Sequence, residues 1–135
     1  MTAEISEILP IIFAPLVLAT AGTLSFLAYR KSKAPTPEEM GAVPIYAEQA
    51  GGRFDGFNWT IPFVRVTAYS DFSVVSYWNH QIVLNKGEVE GIEEKRGFLS
   101  KGLAVHHTRV DIPKKILIWP RNTVKLKQAL EMSLL

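Results

Sequence analysis

A chain of 135 residues with a formal net charge of +2 has room for one ordinary domain and an anchor. It contains no cysteine, which excludes disulfide frameworks and Cys-ligated zinc sites. The charge is unevenly placed along the sequence: from Glu38 to Glu94 nine acidic residues stand against three basic ones, whereas from Lys95 to Lys127 nine basic residues stand against Asp111 alone.

A short tail, residues 1–7, precedes the most apolar stretch. Ile8 to Tyr29 carries no charge over 22 residues. As a helix rising 1.5 Å per residue it reaches roughly 33 Å, against about 30 Å of bilayer hydrocarbon. Only a helix satisfies its own backbone hydrogen bonds in that setting. Pro10 and Pro15 fall in the first turns, where a missing N–H matters least. Residues 8–30 are therefore expected to form one transmembrane helix. Glu4 and Glu7 precede it, and Arg30, Lys31 and Lys33 follow it. Positive charge collects on the cytoplasmic side, which puts the N-terminus outside and the C-terminal domain in the cytoplasm, at an inner (plasma) membrane. A cleaved signal peptide needs a basic start and a shorter apolar block, and this sequence has neither.

Residues 31–50 read as a linker. Pro35, Pro37 and Pro44 interrupt any continuous helix and favour a semi-rigid extended chain. Glu38 and Glu39 are placed to open a short helical turn. The domain is expected over residues 51–135, beginning at Gly51-Gly52. Seven strand candidates follow, separated by turn signals: 53–59, 61–69, 72–78, 81–84, 89–96, 103–108 and 115–119. Gly56 falls inside the first and is read as a bulge or a close backbone approach. The second alternates Phe63, Arg65, Thr67 and Tyr69 with Val64, Val66 and Ala68, so it has two distinct faces. Residues 89–96 are polar and read as an edge or a solvent-facing strand. After Pro120, Asn122 is a good N-cap for a helix over 122–133, with Leu126, Ala129, Leu130 and Ser133 on one stripe. Such a stripe has to be buried, and the open end of a β-barrel or sandwich would bury it.

The sequence of strands and helix resembles a bacterial group of pleckstrin-homology-like (PH-like) domains. The resemblance lies in GGRFDGFNWTIPFVRV (Gly51–Val66), KGEVEGIEEKRGFLSKGLAVHH (Lys86–His107) and KKILIWPRNTVKLKQAL (Lys114–Leu130). It implies an all-β, seven-stranded antiparallel barrel or sandwich capped by a C-terminal amphipathic helix, here behind one transmembrane helix. Members look like small, often membrane-anchored modules. The resemblance therefore bears on fold more than on function.

Reactive constellations are sparse. His106 and His107 are neighbours on a strand and point to opposite faces, which separates them as metal ligands; one half-buried and one surface imidazole is the plainer reading. Glu88, Glu90, Glu93 and Glu94 lack the glycine-bearing, oxygen-rich loop that calcium needs and read as a solvated strand. No nucleophile elbow, P-loop or dinucleotide fingerprint occurs. No catalytic residue, metal or cofactor is expected. The basic residues Lys101, Lys114, Lys115 and Arg121 are the best contact candidates, for anionic lipid or for a partner, and Lys125 and Lys127 extend the set; a scattered solvated surface that balances the Glu-rich strand is the equally good alternative. Nucleic acid is not expected, because no aromatic-interleaved basic motif appears. The expectation is a non-catalytic, membrane-anchored PH-like module that docks a protein partner at the cytoplasmic membrane face, with anionic lipid contact as an aid. The alternative is an enzyme or ligand sensor whose pocket the sequence does not reveal. Homo-oligomerisation is left open.

Overall fold

The structure, a computed structural model, describes residues 13–24, 26–27, 35–97 and 101–135. Residues 13–24 are helical, and their large apolar side chains are exposed, among them Phe13, Leu16 and Leu18. Among the described residues no helix is long and apolar enough to cross a membrane. The expected span 8–30 runs through positions that lie outside the described set, as do its flanking cations Arg30, Lys31 and Lys33.

The remainder is one curled antiparallel sheet of seven strands with a helix over its concave face. The strands are β1 (Tyr46–Phe54), β2 (Phe57–Ala68), β3 (Phe72–Tyr77), β4 (His80–Asn85), β5 (Val89–Arg96), β6 (Lys101–His107) and β7 (Ile116–Trp119). Their order across the sheet is β4-β3-β2-β1-β7-β6-β5. The expected all-β architecture with a C-terminal helix is thus present, and β5 lies at an edge as its polar sequence suggests.

The first part of the domain is divided differently from the sequence reading. β1 starts at Tyr46, upstream of the Gly51 where the domain was expected to begin. Asp55-Gly56 is a hairpin turn between β1 and β2, not a bulge inside one strand. Its φ angles of +48° and +95° are those of a two-residue turn whose hand matches strand twist. Asp-Gly between two apolar runs is a strong hairpin signal, and it outweighs the strand character of the residues on either side. The actual irregularity in β1 falls at Ala50–Gly52, where the pairing with β2 shifts register.

Both glycines there are sterically required. β1 lies between β2 and β7, pairing with both. A Cβ on Gly51 would sit 2.8 Å from the Trp59 carbonyl oxygen, and one on Gly52 would sit 3.0 Å from the Leu117 carbonyl oxygen.

The concave face holds the core. Val64, Val66, Val75, Leu84, Leu103 and Ile118 line it and are essentially inaccessible. The C-terminal helix (Thr123–Leu134) begins at Asn122, whose side-chain oxygen accepts the Lys125 N–H at 3.1 Å. Leu126, Ala129, Leu130, Ser133 and Leu134 form its buried stripe, as the periodicity predicts, and the helix touches strands β1 to β6. Ser133 is accommodated in the core because its hydroxyl donates to the Phe72 carbonyl at 2.7 Å. It then accepts from Ser73 Oγ, also at 2.7 Å. At the free edge of β4, Arg109 donates to the Val83 carbonyl at 2.6 Å and pairs with Asp111 and Glu88. The loop after β6 thereby covers part of an edge that would otherwise offer unpaired acceptors.

Candidate docking site

Three connections converge at one end of the sheet: the β1–β2 turn, the β3–β4 turn and the loop between β6 and β7. Asp55 ties two of them together. Its carboxylate accepts the backbone N–H groups of Lys114 and Lys115 at 3.1 and 2.7 Å, and its own N–H donates to the Lys115 carbonyl. The carboxylate thus fixes the exposed Lys114 and Lys115 at the hairpin tip.

The same end is built of rings. Phe54 and Tyr77 stack within the core at 3.8 Å, nearly parallel. Trp59 packs on that core and stacks against Trp78 at 6.2 Å, and Tyr77 stacks on His80 at 5.0 Å. Burial, and to a lesser extent Asp55, pushes the Tyr77 hydroxyl above its ordinary pKa. Phe57 projects from the start of β2 and is 75% exposed. Trp78 holds a φ of +45° in the β3–β4 turn. A bulky residue in that left-handed region costs on the order of 1–2 kcal/mol. The turn is therefore held by its surroundings, with the stack on Trp59 as a visible part. The result is a rigid tip of partly exposed aromatic surface beside two lysines.

The expected basic set divides in two. Antiparallel pairing of Leu103 with Ile118 and of Val105 with Ile116 puts Lys101 beside Pro120 and Arg121, and His107 beside Lys114. β6 itself separates the groups, by about 20 Å of extended chain. Lys101 and Arg121 therefore share one end of the sheet, and Lys114 and Lys115 the other. All four are exposed. The backbone N–H of Arg121 donates to Glu48 Oε2 at 2.8 Å, next to the start of β1. Burial, foremost, raises the Glu48 pKa, against the pull of that N–H and of Asn122.

The histidines separate as strand geometry requires. His106 is exposed and lies 2.7 Å from Glu93, while His107 is half-buried with Nε2 2.8 Å from the Pro113 carbonyl oxygen. Among the described residues no group of three His, Asp or Glu side chains could hold a metal ion.

The second structured feature lies on the convex face and involves a segment expected to be a spacer. Residues 36–45 form a strap across β2 and β3. Its one-turn 3-10 helix (Pro37–Glu39) carries Glu39, whose side chain is 2% exposed. Arg65 grips it with two bonds, Nη1 to Oε2 at 2.7 Å and Nη2 to Oε1 at 2.6 Å. The Tyr69 hydroxyl donates to Oε2 at 2.6 Å, and the Thr36 N–H donates to Oε1 at 3.1 Å. Burial alone would raise the Glu39 pKa; the bonds from Arg65, Tyr69 and Thr36 outweigh it and hold the carboxyl down to about 2. Tyr69, by burial and by facing that carboxylate, is pushed up to about 12. Under the strap Thr67, Val74 and Ser76 are buried, although they point away from the core. The sequence held one signal for this: Arg65 interrupts the otherwise uncharged strand Ile61–Tyr69. Its partner, 26 positions upstream, carried none.

No family model, curated protein or solved structure matches this chain.

Proposed function

We propose that the chain is a non-catalytic, membrane-anchored docking module of the PH-like class, whose aromatic hairpin tip receives a protein partner. Support for the class is the strand order β4-β3-β2-β1-β7-β6-β5 with a C-terminal helix across the curl, which is compatible with a PH-like fold. Support for the anchor is the uncharged run Ile8–Tyr29, together with exposed apolar side chains on the helical residues 13–24. The cations that follow the run put the domain on the cytoplasmic side. A reporter fused after Leu135 tests that topology and should behave as cytoplasmic; protease access to the domain in intact spheroplasts would overturn it.

The observation that carries the docking reading is the tip itself. Exposed Phe57 and the Trp59–Trp78 pair offer large, rigid apolar area at little entropic cost, and Lys114 and Lys115 stand beside them. The strained turn at Trp78 is consistent with a surface kept for contact. A photoreactive phenylalanine analogue at position 57 in the full-length protein tests this in cells. A discrete protein adduct is expected there, and none at Val124 on the helix. Adducts only to lipid, or equal adducts at both positions, would sink the docking reading.

A further inference from the structure

We infer that the strap is a second membrane contact, which seats the domain on the bilayer interface by its β1-entry side. This rests on the anchoring reading given above. The strap has two unlike faces. Thr36 and Glu39 point inward and are 2% and 6% exposed. Met40, Val43 and Ile45 point outward, 75%, 85% and 44% exposed. Three large apolar side chains within six residues, on an element pinned by a buried ion pair, are not a solvating loop.

The occupant of this face follows from the chain itself. Eight residues, 28–35, separate Leu27 from the buried Thr36. Even fully extended they reach only about 30 Å. The strap therefore cannot lie far from the apolar helical segment, whatever angle the domain takes. Cations complete the surface. Ile45 leads directly into β1, and Glu48 in β1 holds the backbone of Arg121, with Lys101 on the adjacent strand end. An apolar patch flanked by basic side chains suits an anionic headgroup layer, where each nearby cation adds to the attraction. Glu38, exposed on the same strap, limits the depth to the interface. In this seating Lys114, Lys115 and the aromatic tip lie at the far end of the sheet and stay free for the partner. The divided basic set then has two separate uses.

The absence of cysteine makes the test clean. Single-cysteine variants of the full-length protein, Met40→Cys and Val43→Cys, are labelled with an environment-sensitive fluorophore and reconstituted in vesicles containing anionic lipid. Val110→Cys, at a 99% exposed position in the loop between β6 and β7, is the control, and Leu18→Cys reports the helical segment. Lipids with a nitroxide at the headgroup–acyl boundary should quench the labels at 40, 43 and 18 and spare the label at 110. Quenching at 18 alone would overturn the seating and leave the anchor standing. No quenching at 18 would overturn both. A label at 43 shielded from an aqueous quencher but untouched by nitroxide lipid would mean that protein, such as a second copy, covers the strap. Equal quenching at 43 and 110 would show a domain with no fixed seat.

Discussion

Glu39 and Arg65, 26 residues apart, meet in a two-bond ion pair at 2.6 and 2.7 Å, with the carboxylate almost fully out of water. Such a pair is not a large net stabiliser, because desolvation opposes the attraction, but removing one partner strands the other. It specifies where the strap must lie.

That pair sets an acid limit. The folded carboxyl is held to about 2, below its ordinary 4.5, so its contribution is complete above about pH 4.5 and is lost as pH falls toward 2. Relative to the protonated carboxyl, the ionised form favours the folded state by about 3 kcal/mol, which is the pH-dependent part alone and not the net worth of the pair. Glu39→Gln should release the strap at neutral pH and flatten this acid dependence. Hydrogen-exchange protection factors of the 36–45 amides measure it: lower protection is expected in the variant at pH 7, and in the wild type only on acidification. Tyr69, raised to about 12, gives the opposite limit: its contribution holds below about pH 10 and is lost as pH rises through 12.

Leu126→Ala or Leu130→Ala should cost about 2–5 kcal/mol, since both side chains are inaccessible and a cavity would remain. Lys125→Ala, on the exposed face, should cost far less. Denaturant midpoints of the three variants compare them. Equal, small shifts would mean that the helix does not cap the sheet.

Gly51→Ala should cost about 1–3 kcal/mol, because its Cβ meets backbone of β2 that cannot yield alone. Gly91→Ala in β5, where an added Cβ meets nothing within 4 Å, should be neutral or slightly stabilising. Thermal midpoints of the two variants give the contrast.

Asp55 contributes both a left-handed turn residue and an acceptor for two N–H groups. Asp55→Asn should be mildest and Asp55→Gly should lose the acceptor alone. Asp55→Ala should lose both, at about 1–3 kcal/mol. The Lys114 and Lys115 amide shifts by NMR should move in the same order.

Much of this protein is local in origin and was legible from the residues alone. The Leu126–Ser133 stripe, the Asn122 cap, the polar edge at 89–96 and the two-faced strand 61–69 each depend on periodicity or on a single turn, which neighbouring residues determine. Asp55-Gly56 was also local, but strand-like residues on both sides competed with it, and the turn prevailed. What the sequence could not decide was register. Whether Lys101 joins Lys114 depends on which way β6 and β7 run past each other, and antiparallel pairing separates them. Nor could it decide that a proline-containing spacer folds back. That depends on Glu39 finding Arg65 and Tyr69 across the sheet, an encounter set by long-range pairing and by the need to satisfy a buried carboxylate, which no window of neighbouring residues contains.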